Sequence, residues 1–270
     1  MNICFIGGGN MANALIGGML GKGFVAAEIS VVEINADNRT LLQTKFGVRA
    51  TDNLAEGVAG SDVVVLAVKP QQLREVAQAL AALLEGQLLI SIAAGIRAGD
   101  LARWAGSQAV VRAMPNTPAL VQSGMTGLYA LPAVSVAQRE QAQDILAAVG
   151  ETLWVDDEPM LDAVTAISGS GPAYVFYFIE ALQKAGQELG FSAADARRLS
   201  LATFLGASKL AASSDEEPGV LRARVTSKNG TTERALLSMA ANHIDKHIAQ
   251  AAKAAADRAK EMGDELGAQQ

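Results

Sequence analysis

The sequence predicts an α/β fold, with a doubly wound parallel sheet over residues 1–157 followed by an all-α domain over 158–270. Three observations carry this reading. Short apolar runs of strand length alternate with helical stretches from Ile3 to Val155, the pattern of a sheet covered by helices on both faces. A glycine-rich turn, Gly7-Gly8-Gly9, separates the first strand from the first helix. After Asp157 no strand pattern recurs, and apolar residues fall at helical spacing instead.

Taken in order, the first strand is Ile3 to Ile6, and the helix after the turn runs from Met11 to Met19. Gly7, Gly9 and Ala12 give G-x-G-x-x-A, the pattern that opens a Rossmann-like dinucleotide site. Gly7 permits the tight turn, Gly9 lets backbone approach a pyrophosphate at the helix N-terminus, and small Ala12 lets helix and strand pack closely. Ile29 to Glu33 read as the second strand, Thr40 to Phe46 as helix, and Val48 to Ala50 as a short strand. Asp52 is placed to cap the next helix. Asp62 to Val68, D-V-V-V-L-A-V, read as a fully buried parallel strand ending at Lys69-Pro70, which leaves the lysine at the carboxyl edge of the sheet. Helix over Gln71 to Leu84, strand over Leu88 to Ile92, helix over Ala98 to Trp104 and strand over Ala109 to Ala113 follow. Ala93-Ala94-Gly95 are small enough for a nucleotide to approach, and Met114 to Pro118 form a rigid loop with two prolines. Gly127 to Ala130 and Thr152 to Val155 are expected as the last strands, flanking a helix over Ala137 to Val149.

In the helical half, Ser168-Gly169-Ser170-Gly171-Pro172 interrupts an otherwise regular pattern, and so costly an insert points to a kink or a close backbone contact. Ser192 caps a helix to about Ala212, and Gly219 to Val225 read as helix. A long final helix is expected from Glu233 to about Gly263, with Leu237, Ala241, Ile244, Ile248, Ala252 and Ala255 on one stripe. Small residues on such a stripe let helices approach closely, so this domain is expected to bury its face against a second copy, as a homodimer.

Composition narrows the function. Of 270 residues, 50% are hydrophobic and 4% aromatic, and the net charge is −6 without a basic run, which disfavours nucleic acid and anionic membranes as partners. Cys4 is the single cysteine, lies in the first strand, and is expected to be an inert buried thiol in a reducing, cytoplasmic setting. The glycines and Asn10 interrupt the N-terminal apolar stretch, against a signal peptide, and no apolar run is long enough to span a membrane.

At the end of the second strand two signals conflict. Glu33, 24 residues past Gly9, suits the ribose hydroxyls of NAD, whereas Asn35-Ala36-Asp37-Asn38-Arg39 offers amides and a guanidinium to the 2′-phosphate of NADP. The two histidines, His243 and His247, stand at i, i+4 spacing on the expected last helix but lack the glutamate and third ligand of a zinc site, so no metal is expected. What remains is a hydride-transfer architecture without an obvious general acid. A cyclic iminium suits it, because its nitrogen already carries the proton and the protein needs mainly to position the substrate. Gly230-Thr231-Thr232, just before a helix, present free N–H groups to a carboxylate, and the Thr232 hydroxyl is placed to reach a ring nitrogen.

Several stretches, in this order, resemble the Δ1-pyrroline-5-carboxylate reductase family. They are F-I-G-G-G-N-M-A at Phe5–Ala12, A-V-K-P at Ala67–Pro70, S-I-A-A-G at Ser91–Gly95, R-A-M-P-N-T-P-A at Arg112–Ala119, S-G-S-G-P-A-Y at Ser168–Tyr174, and T-S-K-N-G-T-T from Thr226. The resemblance implies a Rossmann domain with a helical dimerisation domain, rings of dimers in some members, and reduction of 1-pyrroline-5-carboxylate to proline with NADPH, or NADH as the alternative donor. Carried over by position, Gly7, Gly9, Asn10, Met11 and Ala12 would line the pyrophosphate, Asn35 and Asn53 the adenosine end, and Ala67, Val68, Lys69, Pro70, Ala93 and Asn116 the nicotinamide half. Ser227, Gly230, Thr231 and Thr232 would bind substrate, in the family from the partner subunit. Thr232 and Lys69 are the expected catalytic pair, Lys69 as an orienting group. Lys228 and Asn229 depart from the family's S-P-G-G, and Lys228 either adds charge near the carboxylate or faces solvent. The rival readings are a β-hydroxyacid dehydrogenase-like enzyme, for which Lys184 and Lys209 are the available lysines, and a non-catalytic dinucleotide-binding redox regulator.

Overall fold

A computed structural model of the chain describes residues 1–268. Its strands are β1 (Ile3–Ile6), β2 (Ile29–Val32), β3 (Arg49–Thr51), β4 (Val63–Leu66), β5 (Leu88–Ser91), β6 (Val110–Met114), β7 (Gly124–Ala130) and β8 (Gly150–Trp154). They form one sheet in the order β3-β2-β1-β4-β5-β6-β7-β8. The first six strands are parallel, with Ile3 of β1 in register with both Ile29 and Val63. β1, β2, β4 and β5 are buried along their whole length, as a sheet covered on both faces requires.

The helices are α1 (Asn10–Gly21), α2 (Ala36–Phe46), α3 (Leu54–Val58), α4 (Pro70–Leu80), α5 (Ala98–Ala105), α6 (Val136–Leu146), α7 (Met160–Val164), α8 (Gly171–Glu188), α9 (Ala193–Ala212), α10 (Pro218–Arg224), α11 (Thr231–Ala241) and α12 (Ile244–Gly267). One face of the sheet packs Phe5, Val65 and Ile90 against Leu15, Ile16 and Met19 of α1. The other packs Cys4, Val64 and Leu89 against Leu73 and Leu80 of α4 and Leu101 of α5.

Several elements depart from the sequence expectation for identifiable reasons. β7 runs antiparallel to β6, pairing Met114 with Gly127. Only residues 115–123 join the two, too few for the crossover that a parallel pair needs. Asn53, not Asp52, caps α3, its side-chain oxygen accepting from the Glu56 N–H at 3.1 Å. The final helix is two helices. α11 begins at Thr231, and the chain breaks at Asn242 and His243, where His243 takes a left-handed φ of 51°. His243 therefore precedes α12 rather than sharing a helix face with His247, which removes the premise of the i, i+4 pair. The glycine-serine insert is a π-helical turn over Thr165–Gly169 that runs on into α8. There Gly169 lies where a Cβ would meet the Met114 methyl at 2.7 Å.

The chain divides into two compact units, Met1–Ser170 with 254–270, and Gly171–Lys253. The last strand ends at Trp154, but the contacts change at Ser170, and the last half of α12 returns to the sheet-bearing unit. Met262 and Leu266 pack on Gly95 there, and Arg97 pairs with Asp264. Gly171–Lys253 has almost no interior of its own: among its described residues only Ala196 and Ser200 are buried.

Burial of Cys4 in β1 pushes its thiol up to about 11 against the smaller opposing effects of Ser30 and Arg49. Because the thiol holds its proton more tightly when folded, the linked stability is lost as pH rises from about 9 towards 11. At pH 8 the native chain is expected to resist a thiol-specific chromophoric reagent and to release one equivalent on unfolding in guanidinium. Rapid reaction of the native chain would contradict this burial.

Candidate functional site

The strand order reverses between β1 and β4, and in open α/β sheets this crevice is where ligands bind. The Ala67 N–H closes the β1–β4 seam by donating to the Ile6 carbonyl, and the Gly7 N–H ties the turn to β2 by donating to the Val32 carbonyl, both at 2.8 Å. Gly7 has φ 98°, and a Cβ on it would stand 2.8 Å from the Ala67 oxygen. Both facts demand glycine. Gly9 is the N-cap of α1 and has no side-chain cap, so the first-turn N–H groups point outward. A Cβ on Gly9 would meet nothing within 4 Å. The turn therefore leaves open space in front of a helix N-terminus, which is what a pyrophosphate requires.

A cleft of about 480 Å³ opens here. It brings together Gly7, Gly8, Gly9, Glu33, Ile34, Asp52, Leu54, Ala67, Val68 and Lys69. Of the sequence-expected residues, Gly7, Gly9, Ala67, Val68 and Lys69 line it directly. Lys69 is exposed and stands as the N-cap of α4, with Pro70 in the first turn. Asn10 and Met11 supply the first N–H groups of α1 beside it. Ala12 is fully buried in the core, so its methyl packs α1 on the sheet and does not face the cleft.

The remaining expected residues are committed to the scaffold through their side chains. Asn35 caps α2 by accepting from the Asn38 N–H at 2.9 Å, and Asn53 caps α3. Ala93 is 5% exposed and packs in the core beyond β5. The Asn116 amide donates to the Ser168 hydroxyl at 3.0 Å and carbonyl at 3.2 Å, and its oxygen accepts from the Met125 N–H at 2.9 Å. This ties the loop after β6 to the π-helical turn. Arg112, buried beneath that loop, pairs with Glu158 at 3.0 Å and Asp162 at 3.6 Å.

Among the lining groups that the sequence reading did not assign to the cleft are Gly8 and Asp52. Gly8 is required because a Cβ there would meet Leu42 at 2.6 Å and crowd Asn38 and Glu33; the third glycine in the run was the available signal. Asp52 lies in the cleft, paired with Arg39 at 3.0 Å. Glu33 accepts from the Gly8 N–H at 3.0 Å, the Asn35 N–H at 2.9 Å and the Asn38 amide at 2.8 Å. Partial burial alone would raise its pKa, but these donors outweigh it and hold the carboxyl below the usual range.

In the second unit, the loop before α11 has its own concavity, lined by Asn229, Gly230, Thr231, Glu233, Arg234 and Leu237. Gly230 is the N-cap of α11 without a side-chain cap, and a Cβ on it would collide with the Ser227 hydroxyl. Asn229 takes a left-handed φ of 61° and donates its N–H to Glu233 at 2.7 Å. Ser227, Lys228 and Thr231 are exposed and Thr232 half-buried. Lys184 and Lys209 are both exposed, on α8 and α9. Among the described residues no group of three His, Cys, Asp or Glu is placed to hold a metal ion, and no helix is long and apolar enough to cross a membrane.

Residues 158–262 match the family model described as pyrroline-5-carboxylate reductase dimerisation, and residues 2–95 match that of NADP oxidoreductase coenzyme F420-dependent. The chain is 51% identical to the pyrroline-5-carboxylate reductase of Pseudomonas aeruginosa over 98% of each. It superposes on the solved pyrroline-5-carboxylate reductase of Coxiella burnetii with a TM-score of 0.94 and 39% identity, covering 97% of this chain and 98% of that one. The Plasmodium falciparum pyrroline carboxylate reductase, solved with NADP bound, gives 0.85 and 30%, with the same coverage.

The glycine geometry separates two substitutions. Gly7→Ala is expected to lower the melting temperature, because strained backbone of this kind costs about 1–3 kcal/mol. Gly9→Ala is expected to melt like the parent yet to weaken NAD(P)H binding about tenfold or more, since its methyl displaces the phosphate from hydrogen-bond range. Calorimetric titration with thermal melts checks both, and tight cofactor binding by Gly9→Ala would count against the cleft.

Proposed function

We propose that this chain, which belongs to the pyrroline-5-carboxylate reductase family, reduces 1-pyrroline-5-carboxylate to L-proline with NAD(P)H as hydride donor, the last step of proline biosynthesis. The observation that carries the residue-level reading is that each unit has a helix N-terminus opened by a glycine and left without a side-chain cap: α1 behind Gly9 and α11 behind Gly230. Both ligands are anionic, a pyrophosphate and a carboxylate, and a helix N-terminus favours each.

The reduced nicotinamide supplies the hydride when bound. The chain's own residues do the rest by positioning and electrostatics. The N–H groups of Asn10 and Met11 hold the pyrophosphate. Lys69, at the carboxyl edge beside Ala67 and Val68, orients the nicotinamide half. Asn35 and Asn53, as helix caps, shape the adenosine end. Backbone around Asn116 and Ala93 borders the nicotinamide, with the Asn116 side chain anchoring its loop to the π-helical turn. The N–H groups at Thr231 and Thr232 take the substrate carboxylate; the Gly230 N–H instead donates to the Ser227 carbonyl at 3.0 Å and so holds the bend that presents them. The Thr232 hydroxyl hydrogen-bonds the ring nitrogen as the iminium carbon gains hydride and the nitrogen becomes an amine. No general acid is needed, because that nitrogen enters already protonated.

A homodimer follows from the same chemistry. Phe176, Tyr177, Leu205, Leu237 and Met239 are exposed in a unit that buries almost nothing by itself, and uncovered apolar faces of this kind mark an association surface. The proposed dimer joins the helical units, with the Gly230 loop of one protomer completing the cleft of the other, and dimers assembling further into a ring. A lone cysteine that stays reduced accords with the cytoplasm.

Steady-state rates with pyrroline-5-carboxylate and each reduced cofactor test the activity. Thr232→Ala is expected to lower kcat/KM by about ten- to a hundredfold, the worth of one hydrogen bond to a charged group, with Thr232→Ser restoring most of it. Unchanged rates in Thr232→Ala would overturn this role. Light scattering is expected to give at least twice the 27.9 kDa chain mass, and a monomer that retains full activity would remove the shared site.

A further inference from the structure

The resting arrangement at the end of β2 resolves the conflict between Glu33 and Arg39. The Arg39 Nη1 donates to the Glu33 carbonyl at 2.8 Å and the Ile34 carbonyl at 3.0 Å, while Nη2 pairs with Asp52 at 3.0 Å. The guanidinium is thus spent on the loop that carries it, and its side chain is 21% exposed. Glu33 is held by the Gly8, Asn35 and Ile34 N–H groups and the Asn38 amide, which fix its carboxylate at the edge of the cleft. Both Glu33 and Asp52 line the cleft, and Arg39 does not. This end of the site therefore carries two carboxylates against one neutralised cation.

We infer that Glu33, with Asp52, is the specificity determinant for the donor: the chain accepts both reduced dinucleotides but binds NADH in preference to NADPH. The inference rests on the reading that the Gly7–Gly9 cleft takes the dinucleotide. A ribose bearing two free hydroxyls brings donors to the Glu33 and Asp52 carboxylates that line this end of the cleft. A 2′-phosphate brings negative charge and only acceptors to the same place. It also finds the Gly8 N–H already donated to Glu33 at 3.0 Å. That carboxyl is held in its anionic form by the donors around it, which keeps the repulsion in place at neutral pH.

The test titrates the full-length protein with NADH and with NADPH in the calorimeter, without substrate, and repeats kcat/KM with each donor. The wild-type Kd for NADH is expected to lie about tenfold or more below that for NADPH, the scale of one unfavourable charge contact near a protein surface. Glu33→Gln keeps the shape and removes the charge, and is expected to shrink this ratio severalfold. Asp52→Asn, on an exposed loop, is expected to shrink it as well, by removing one carboxylate and releasing Nη2 of Arg39. Equal or tighter binding of NADPH by the wild type overturns the inference while leaving the cleft as the dinucleotide site. An unchanged ratio in both variants also overturns it. Failure of either donor to bind removes both the inference and the reading beneath it.

Discussion

The molecule depends on one close approach, where the chain leaves β1 and turns under the end of β4. The Ala67 N–H reaches back to the Ile6 carbonyl while the Ala67 oxygen lies where a Gly7 Cβ would be. β1 is the central strand, paired in register on one side with β2 and on the other with β4. If the turn were wider, β4 could not stay hydrogen-bonded through its last residue, and the crevice at the reversal of strand order would not form. Its tightness also aims α1, because a helix that starts three residues after the strand must project its N-terminus over the sheet edge. Ala12 and Gly18 then let α1 lie flat. A Cβ at Gly18 would meet the Ala148 carbonyl at 2.5 Å, so this helix is held against the far side of the domain by the smallness of its own residues.

The site is acidic at one end and cationic at the other for local reasons. Lys69 ends β4's connection because proline at the next position stops the ladder and starts a helix, which leaves the lysine at the rim. Glu33 sits where β2 ends, and its carboxylate is drawn inward by the Gly8, Asn35 and Asn38 donors. The same acid thus closes the loop of α2 and stands at the edge of the cleft, because the strand end and the cleft edge are the same place in this fold.

The helical unit follows a different economy. Its helices are long and amphipathic, yet they bury only Ala196 and Ser200 among the described residues of 171–253. Intrinsic helix propensity alone is a weak stabiliser, so such a unit derives its stability from association. The return of the last half of α12 to the sheet-bearing unit, through Arg97–Asp264 and the packing of Met262 on Gly95, anchors the end of the chain on the part that folds with its own core.

Much of this was legible in the residues alone. Apolar runs such as Val63–Leu66 located the strands, because a strand buried on both faces has no alternative composition. The glycine turn located the crevice at the reversal of strand order, and Gly230-Thr231-Thr232 an uncapped helix start. What the sequence left open was decided by contacts between residues far apart in the chain. The orientation of β7 came from a connection too short to cross the sheet. The break at His243 came from a backbone conformation that apolar periodicity does not report. Asp52 and Arg39 chose each other over the roles first given to them. Asn116 and Ala93 were recognised as important from their motifs, yet their side chains serve the scaffold. Local pattern determined the elements and the chemistry at their ends, since both depend on neighbours in sequence. Which donors each charged group at the cleft would face was settled only by packing, since those partners meet nowhere but in the folded chain.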